Sequence, residues 1–435
     1  MLIAETGGLN AMIVDSTALL EQATRDIIRA AFQSAGQRCS ALRVLYVQKD
    51  VEKKLLEMLG GAMDALVTGD PWQIATDVAP VIDAEAQAGI ATYLDEKRRE
   101  GKVVKELPVP QSGRFVPPAI VRVSGIEDVE REIFGPVLHL ATFDGDEIED
   151  VVASVNSKGY GLTFGLHTRI DRRVQRVLDR IRVGNVYVNR DQIGAIVGSQ
   201  PFGGHGLSGT GPKAGGPHYL PRFLASQHNG ATAMDSGTLS ANQAELALAA
   251  LDGANWRATP DRIVALRAVL RGRAAEAMSA SAGLDFGPVD LPGPTGEANQ
   301  FELGPRGTVL CLGPTAEAAL DQAVQALAAG NMALAVAPGA VAALRPLTRA
   351  WLPVATLDGV LASEALTVLP IDLAALAAAP GTLGPTRSAL AARPGPIVPL
   401  VTRRIDPAAY CNERTICIDT TAAGGNASLL AEADG

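Results

Sequence analysis

The sequence is poor in cysteine, and its charge balance is acidic rather than basic. Only 4 of the 435 residues are cysteines, and their spacing matches no metal-ligand pattern, so neither a metal site nor a disulfide framework is expected. The formal net charge of −9 provides no electrostatic footprint for nucleic acid. These two shortages exclude a zinc-binding or disulfide-stapled domain and a nucleic-acid-binding protein.

The sequence also lacks a long apolar run and an N-terminal targeting pattern. Its most apolar stretch, residues 326–344, is rich in alanine and is broken by Gly330-Asn331 and Pro338-Gly339, so it does not predict a membrane span. The first residues carry neither a basic region nor a cleavage site. We therefore expect a reduced protein of the cytoplasm that has no membrane span.

The composition that remains is that of a folded protein. Hydrophobic residues make up 47% and charged residues 20% of the chain, which is enough to bury a sizeable core, and the length favours two domains. Alternating helical and strand-like segments over residues 16–188 include a helical pattern over 16–34 and a short strand at 137–143. They predict an α/β fold with a mostly parallel sheet covered by helices.

A carboxylate and a thiol stand out, 34 positions apart. Glu5 lies in the segment AETGGLN, and Cys39 lies in SAGQRCSA. A cysteine can attack an aldehyde, and the thioester left after hydride loss is hydrolysed by a water that a carboxylate deprotonates. Each residue alone would be ordinary, a buried cysteine or a turn glutamate, but the flexible Gly36 and the cationic Arg38 suggest a setting that lowers the pKa of the thiol.

With these motifs the sequence resembles the aldehyde dehydrogenase superfamily. The resemblance implies that Cys39 is the nucleophile and Glu5 the general base. A third segment, EIFGPV at residues 132–137, resembles the part of that family that holds the nicotinamide end of NAD. It implies that Glu132 accepts hydrogen bonds from the ribose hydroxyls and that Phe134 packs near the ring.

Closer motifs resemble the glutamate semialdehyde (pyrroline-5-carboxylate) dehydrogenase branch, and within it the bifunctional proline utilization family. These motifs are GQRCSALR, GSQPFGG and SGTGPKAGGPHYL. The resemblance implies that the substrate carboxylate is bound by the Ser40 hydroxyl and by backbone amides at Gly194 and Ala195, which form an anion-binding nest. Phe202 would pack on the aliphatic stem of the substrate, and Arg38 would add positive potential or serve only as a solvated, structurally paired arginine.

The cofactor domain that precedes these motifs in the family has no counterpart in the sequence. No Gly-x-Gly-x-x-Gly fingerprint between a strand and a helix is found. We therefore expect the chain to correspond to the C-terminal part of a longer or split enzyme, to act as a homo-oligomer or with the missing N-terminal half, and to be inactive by itself. Two alternatives remain open: a dehydrogenase of another semialdehyde, and a non-catalytic scaffold.

Domain boundaries follow from changes in composition. We predict an aldehyde dehydrogenase catalytic region at residues 1–225, a connector at 226–240, a Rossmann-like accessory domain at 241–410, and a strand with a Gly-rich tail at 411–435. Helical periodicity in residues 241–251 and 261–278 favours a folded second domain over a disordered one. Residues 306–331 resemble a strand and helix of a cofactor domain, but no lysine follows, so a degenerate, structural role is expected.

Overall fold

The computed structural model describes residues 2–224 and 237–421. The chain forms two compact units, each assembled from several segments. The thiol unit contains residues 5–209, 290–300 and 415–421, and the accessory unit contains residues 2–4, 210–224, 237–289 and 301–414. Most of the predicted connector at 226–240, and the Gly-rich tail from residue 422 onward, lie outside the described residues.

A ten-stranded, mostly parallel sheet contains most strands of the thiol unit, which confirms the predicted α/β class. The pairings from Asn185–Val188 through to Ala119–Arg122 are parallel, and Val103–Glu106 runs antiparallel to Ala119–Arg122 at one edge. From edge to edge the strands are Val289–Leu291, Glu297–Pro305, Cys411–Asp419, Asn185–Val188, Thr163–His167, Asn10–Val14, Leu42–Gln48, Val137–Phe143, Ala119–Arg122 and Val103–Glu106.

Helices cover both faces of this sheet, because alternate side chains of each central strand point to opposite faces. In the strand Asn10–Val14, Met12 and Val14 join one core cluster, whereas Ala11 and Ile13 join the other. The first cluster also takes side chains from Leu20–Phe32, Lys49–Asp64 and Ala84–Arg99, and the second takes them from Ile148–Ser157 and Asp171–Leu178.

The predicted elements recur in the structure with shifted ends. The helix expected over residues 16–34 begins at Leu20 and continues to Phe32, before a short 3-10 turn at Gln33–Gly36. The helical pattern over residues 261–278 corresponds to two helices, Arg262–Leu270 and Ala275–Ala282, because the chain between them adopts left-handed backbone angles.

The accessory unit contains a five-stranded parallel sheet. Its strands lie in the order Val354–Leu357, Met332–Val336, Thr308–Cys311, Leu373–Ala375, Leu400–Val401. Numbered along the chain this order is 3-2-1-4-5, as in Rossmann-like folds. The helix Ala316–Ala328 follows the first strand, and the other helices are Ala241–Ala249, Ala254–Arg257, Arg262–Leu270, Ala275–Ala282, Ala340–Ala343, Arg345–Arg349 and Gly384–Ala391.

Strand Cys411–Asp419 continues the chain after the accessory sheet. Its residues Thr415–Ile418 pair in parallel with Asn185–Val188 in the thiol unit. Two short pairings complete the sheets: Thr238–Leu239 with Val360–Leu361, and Tyr160–Gly161 with His205–Gly206. Across residues 2–224 and 237–421, no helix has the length and hydropathy needed to cross a membrane.

Candidate active site

The cysteine motif forms a tight turn just before a buried strand. Ser34, Ala35 and Gly36 all adopt left-handed backbone angles, with φ values of 57°, 53° and 65°. Each non-glycine residue in this region costs about 1–2 kcal/mol, so the surrounding contacts must hold the turn in place. Glycine is required at position 36, because a Cβ there would lie 2.2 Å from the Gly135 carbonyl oxygen.

Cys39 follows this turn and is partly exposed. The Ala41 amide donates to the Arg38 carbonyl oxygen at 3.0 Å, which closes a second turn around the cysteine. On its other side, the Asn10 side chain donates to the Cys39 and Ala41 carbonyl oxygens at 2.6 and 2.9 Å. The cysteine backbone is therefore held from the neighbouring strand.

The expected lowering of the Cys39 pKa is wrong. Partial burial raises the pKa of the thiol, and the charges of Glu5 and Glu132 raise it further, against a lowering contribution from the backbone amides of Ser40 and Cys39. The adjacent Arg38 does not dominate, because its Nε donates to the Ser34 hydroxyl at 3.1 Å within the loop. The thiol thus lies in a net acidic surrounding.

Glu5 is exposed and lies at a single strand-like bridge to Gly209. The next residue, Thr6, donates its amide to the Ser208 carbonyl at 3.2 Å. The Glu5 carboxylate raises the pKa of the Cys39 thiol through its negative charge. The two residues that the sequence singled out are therefore brought together by the fold.

Glu132 forms hydrogen bonds to the segment that carries Glu5 and to Arg43, which contacts the cysteine loop. Its Oε2 accepts the Gly8 amide at 3.1 Å, and its Oε1 accepts two N–H groups of Arg43, from Nε at 3.1 Å and Nη2 at 2.9 Å. Gly7 has φ of 154°, and a Cβ there would lie 2.9 Å from Oε2. Because Oε2 accepts one hydrogen bond and Oε1 accepts two, Oε2 keeps more capacity to accept a hydrogen bond from a ligand hydroxyl.

Phe134, which the resemblance placed near a nicotinamide ring, is 44% exposed. The Arg43 guanidinium carbon lies 5.1 Å from the centre of its ring, within the range of a cation–π contact. Glu132 and Phe134 therefore meet at one side of the cysteine loop through a shared arginine.

The loop that the resemblance assigned to the substrate carboxylate is joined to the residue after the cysteine. Gln192 is fully buried and donates to the Ser40 carbonyl oxygen at 3.3 Å, so it ties the residue after the cysteine to the loop that follows. Gly194 and Ala195 are exposed, and Gly194 has φ of 81°. Exposed backbone at a left-handed glycine is typical of an anion-binding nest.

Phe202 is half-buried and sits in a loop fixed by a buried side chain. Asn185 donates to the Pro201 carbonyl oxygen at 3.0 Å and accepts the Gly203 amide at 3.3 Å. The residues on both sides of Phe202 are thus anchored to the strand Asn185–Val188.

Gln37 links the cysteine loop to residues 80–82. Its Oε1 accepts the Ile82 amide at 2.8 Å, and its Nε2 donates to the Pro80 carbonyl oxygen at 3.4 Å. This segment therefore supports the loop from outside.

The sequence analysis missed three side chains that hold the site: Asn10, Arg43 and Gln192. One signal was present in the sequence. Arg43 interrupts the apolar run of the strand Leu42–Gln48, and an arginine in a fully buried strand requires acceptors. Asn10 and Gln192 gave no comparable signal, because polar residues are common at strand ends and in loops.

Comparison with known proteins shows the family of this chain. The sequence profile of the aldehyde dehydrogenase family matches residues 1–229. The chain belongs to the aldehyde dehydrogenase family. Within it, the bifunctional protein PutA of Escherichia coli K12 is 40% identical over 451 aligned residues, covering 99% of this chain and 33% of PutA.

Two other relatives cover half of the chain. The 1-pyrroline-5-carboxylate dehydrogenase of Geobacillus thermodenitrificans is 37% identical over 221 residues, which is 50% of this chain and 42% of that protein. A crystal structure of a proline utilization A variant from Bradyrhizobium japonicum is similar with a TM-score of 0.50 and 51% identity, and covers 51% of this chain and 23% of that one. This aldehyde dehydrogenase chain thus spans about a third of the length of the PutA relatives.

Proposed function

We propose that this chain carries the thiol and base of an NAD-dependent oxidation of L-glutamate γ-semialdehyde to L-glutamate. One observation carries the proposal: the fold brings the Glu5 carboxylate into the electrostatic surroundings of the Cys39 thiol, although the two residues are far apart in sequence. The resemblance to PutA and to 1-pyrroline-5-carboxylate dehydrogenases supports the choice of substrate.

The chemistry begins at Cys39. Its thiolate attacks the aldehyde carbon, a C–S bond forms, and the carbonyl oxygen becomes an oxyanion that the Cys39 backbone amide can stabilise. NAD, when bound, accepts the hydride that leaves this carbon. Glu5 then takes a proton from a water molecule, whose oxygen attacks the thioester carbon, and the C–S bond breaks to release glutamate and the thiolate.

The residues on the cofactor side fit a nicotinamide ribose. Glu132 presents Oε2 with acceptor capacity left, and Phe134 offers an exposed ring face. These two residues would hold the ribose and flank the ring. NAD itself is proposed as the cofactor from the family and from this donor set.

The substrate carboxylate is assigned to Ser40, Gly194 and Ala195. Ser40 is buried directly after the nucleophile, and the other two lie on an exposed backbone turn that Gln192 ties to Ser40. Phe202 would contact the methylene stem. Arg38 is placed less directly, because its Nε already donates to Ser34, so we assign it a contribution of charge only.

The accessory unit is proposed to have a structural role. Gln322 is fully buried and makes two hydrogen bonds to Gly313, one to its amide and one to its carbonyl, each 3.1 Å long. That glycine lies in the turn between the first strand and its helix, where dinucleotide-binding folds offer backbone amides to phosphate. In the accessory unit the Gln322 side chain already forms hydrogen bonds with the amide and carbonyl of this glycine.

The test compares two aldehydes of equal length with the protein expressed from its complete gene. Glutamate semialdehyde and pentanal are each incubated with NAD, and NADH formation gives kcat/KM. A carboxylate held by two or three donors contributes roughly 2 to 4 kcal/mol, a preference of about 30- to 1000-fold. Equal kcat/KM for the two aldehydes would remove the substrate assignment, and no NADH with any aldehyde would favour the scaffold alternative.

A further inference from the structure

Arg43 is the largest fully buried side chain of the thiol unit, and its guanidinium contacts three parts of the site at once. We propose that Arg43 is a positioning residue: its ion pair with Glu132 couples the cofactor-side carboxylate to the loop that carries the Cys39 thiol. The proposal rests on the function proposed above, since it assigns a role to that same site.

The hydrogen bonds of Arg43 use its full donor capacity. Nε and Nη2 donate to Glu132, Nη1 donates to the carbonyl oxygens of Gly36 at 2.7 Å and Gly135 at 3.1 Å, and Nη2 also donates to that of Arg38 at 3.1 Å. An arginine has five N–H donors in a fixed fork, and five bonds are made. A lysine has three donors and cannot reproduce this pattern.

Two of these acceptors belong to the strained loop before the thiol. Gly36 ends the left-handed run, and Arg38 directly precedes Cys39. Strained backbone persists only where neighbours over-determine it. The carbonyl contacts of Arg43 supply that constraint from the strand below, and they transmit the position of Glu132 to the cysteine.

The same pair also balances the charge around the thiol. The carboxylates of Glu5 and Glu132 raise the pKa of the Cys39 thiol. The Arg43 guanidinium interacts electrostatically with the same thiol, and its positive charge has the opposite effect. Arg43, whose side chain is fully buried, is the cation that forms the ion pair with the partly exposed Glu132. Removing either partner therefore changes the charge at the thiol with opposite signs.

The first measurement is the alkylation rate of Cys39 by iodoacetamide between pH 6 and 10, followed by peptide mass spectrometry on the protein expressed from its complete gene. For Arg43→Met we expect the pH midpoint to rise and the rate at pH 8 to fall about tenfold, because one unit of pKa changes the thiolate fraction tenfold. For Glu132→Gln we expect the midpoint to fall and the rate at pH 8 to rise. If Arg43 and Glu132 only stabilised the fold, their substitutions would not shift the alkylation midpoint in opposite directions.

The second measurement separates charge from geometry. Arg43→Lys keeps the charge and loses most of the fork, so its midpoint should stay near that of the wild type while the amides of residues 36–41 exchange hydrogen at least about tenfold faster. This variant also keeps the proposal testable if Arg43→Met does not fold. Unchanged exchange in these amides would overturn the positioning role.

Arg173→Met is the matched control, because Arg173 forms an ion pair with the fully buried Asp15 in the same unit. It should lower the melting temperature and leave both the alkylation midpoint and the exchange of residues 36–41 unchanged. A control that shifts the midpoint as Arg43→Met does, or shifts of one sign in both Arg43→Met and Glu132→Gln, would overturn the proposal. Neither readout needs NAD or aldehyde, so a failure of the proposed function appears separately, as absent turnover in a wild type with normal alkylation.

Discussion

Two cysteines in two parallel-sheet units show how differently the same architecture can treat a thiol. Cys39 lies in a turn before a strand and is partly exposed, whereas Cys311 is the last residue of the strand Thr308–Cys311 and is fully buried. Burial alone raises the pKa of Cys311 far above its usual value. A buried thiol of this kind is inert, so reactivity depends on the loop and not on the sheet.

The turns next to the two thiols are also satisfied differently. Gly36 is held by the cation of Arg43, which is itself paired with a carboxylate that faces the site. Gly313 is held by the neutral side-chain amide of Gln322, which bonds both its backbone amide and its carbonyl oxygen. The turn at Gly36 is followed by a partly exposed thiol and lies near the partly exposed carboxylate of Glu132. The turn at Gly313 follows a thiol that is fully buried.

The largest expected effect tests the contrast between the thiols. Cys39→Ala should reduce turnover by roughly four orders of magnitude or more, as expected for loss of a nucleophile, and should abolish iodoacetamide labelling at pH 8. Cys311→Ala should keep both. Labelling of Cys311, Cys411 or Cys417 in the Cys39→Ala variant at the wild-type rate would contradict the assignment of inert, buried thiols.

The next effect separates the two chemical steps. Glu5→Gln should still form the thioester but should hydrolyse it about 100- to 10,000-fold more slowly, because general-base catalysis contributes that much. Single-turnover experiments with mass detection of the acylated peptide measure both steps. Glu21→Gln, at an exposed position of the helix Leu20–Phe32, is the control, and equal hydrolysis rates in both variants would rule out Glu5 as the base.

A substitution in the accessory unit gives the converse result. Gln322→Leu leaves the buried Gly313 amide without its partner, at about 1–3 kcal/mol, and removes one of two hydrogen bonds to the Gly313 carbonyl oxygen, at about 0.5–1.5 kcal/mol. The other bond, from the Ala377 amide at 3.1 Å, remains, so the free energy of unfolding should fall by roughly 2–4 kcal/mol. Labelling of Cys39 should not change. Asn255→Leu, at an exposed position in the same unit, should change stability by less than about 0.5 kcal/mol; an equal loss there would make the Gln322 effect nonspecific.

The smallest expected effect concerns a buried pair in the thiol unit, Asp26 and His167, whose Oδ2 and Nε2 lie 3.9 Å apart. Burial raises the pKa of Asp26 to about 6 and lowers the pKa of His167 to about 4. Between pH 4 and 6 the native state therefore holds a proton on Asp26 that the unfolded state lacks, and it lacks one that unfolded histidine holds. As the pH rises from 4 to 6, the contribution of Asp26 to the free energy of unfolding therefore falls, and the contribution of His167 rises.

Single substitutions should expose each slope. In Asp26→Asn the free energy of unfolding should rise by about 2–3 kcal/mol from pH 4 to 6.5, because only the histidine contribution remains. In His167→Gln it should fall by a similar amount over pH 4 to 6. Urea unfolding at pH 4.5, 5.5 and 6.5 measures both, and slopes of the same sign would show that these two groups do not control the pH dependence.

The sequence predicted the regular elements well where patterns are local. The strand Val137–Phe143 was predicted with the bounds that the structure has. Helix ends shifted by a few residues, and the break between Leu270 and Ala275 was missed, because left-handed angles at Arg271 and Ala274 are not signalled by residue type. A left-handed arginine or alanine is set by tertiary contacts.

The candidate site was likewise predictable from the sequence in part. Cys39, Glu5, Glu132 and Phe134 could be proposed from motifs, because their chemistry resides in the residue type and spacing. The direction of the Cys39 pKa could not be predicted, since it depends on how deeply the thiol is buried and on which carboxylates come near it. A neighbouring arginine in sequence proved less relevant than carboxylates from distant segments.

The sequence by itself determined the α/β class and the family, and it predicted which thiol and carboxylate are the candidates for catalysis, because hydrophobic periodicity and reactive groups are properties of the residues in order. Only the tertiary structure decided that Arg43 pairs with Glu132, that Asn10 holds the Cys39 backbone and that Gln322 closes the accessory turn. These contacts join residues that are distant along the chain or polar groups whose burial no local pattern reports. A buried donor takes whichever acceptor the packed chain places within about 3 Å, and that placement arises only when the sheet is assembled.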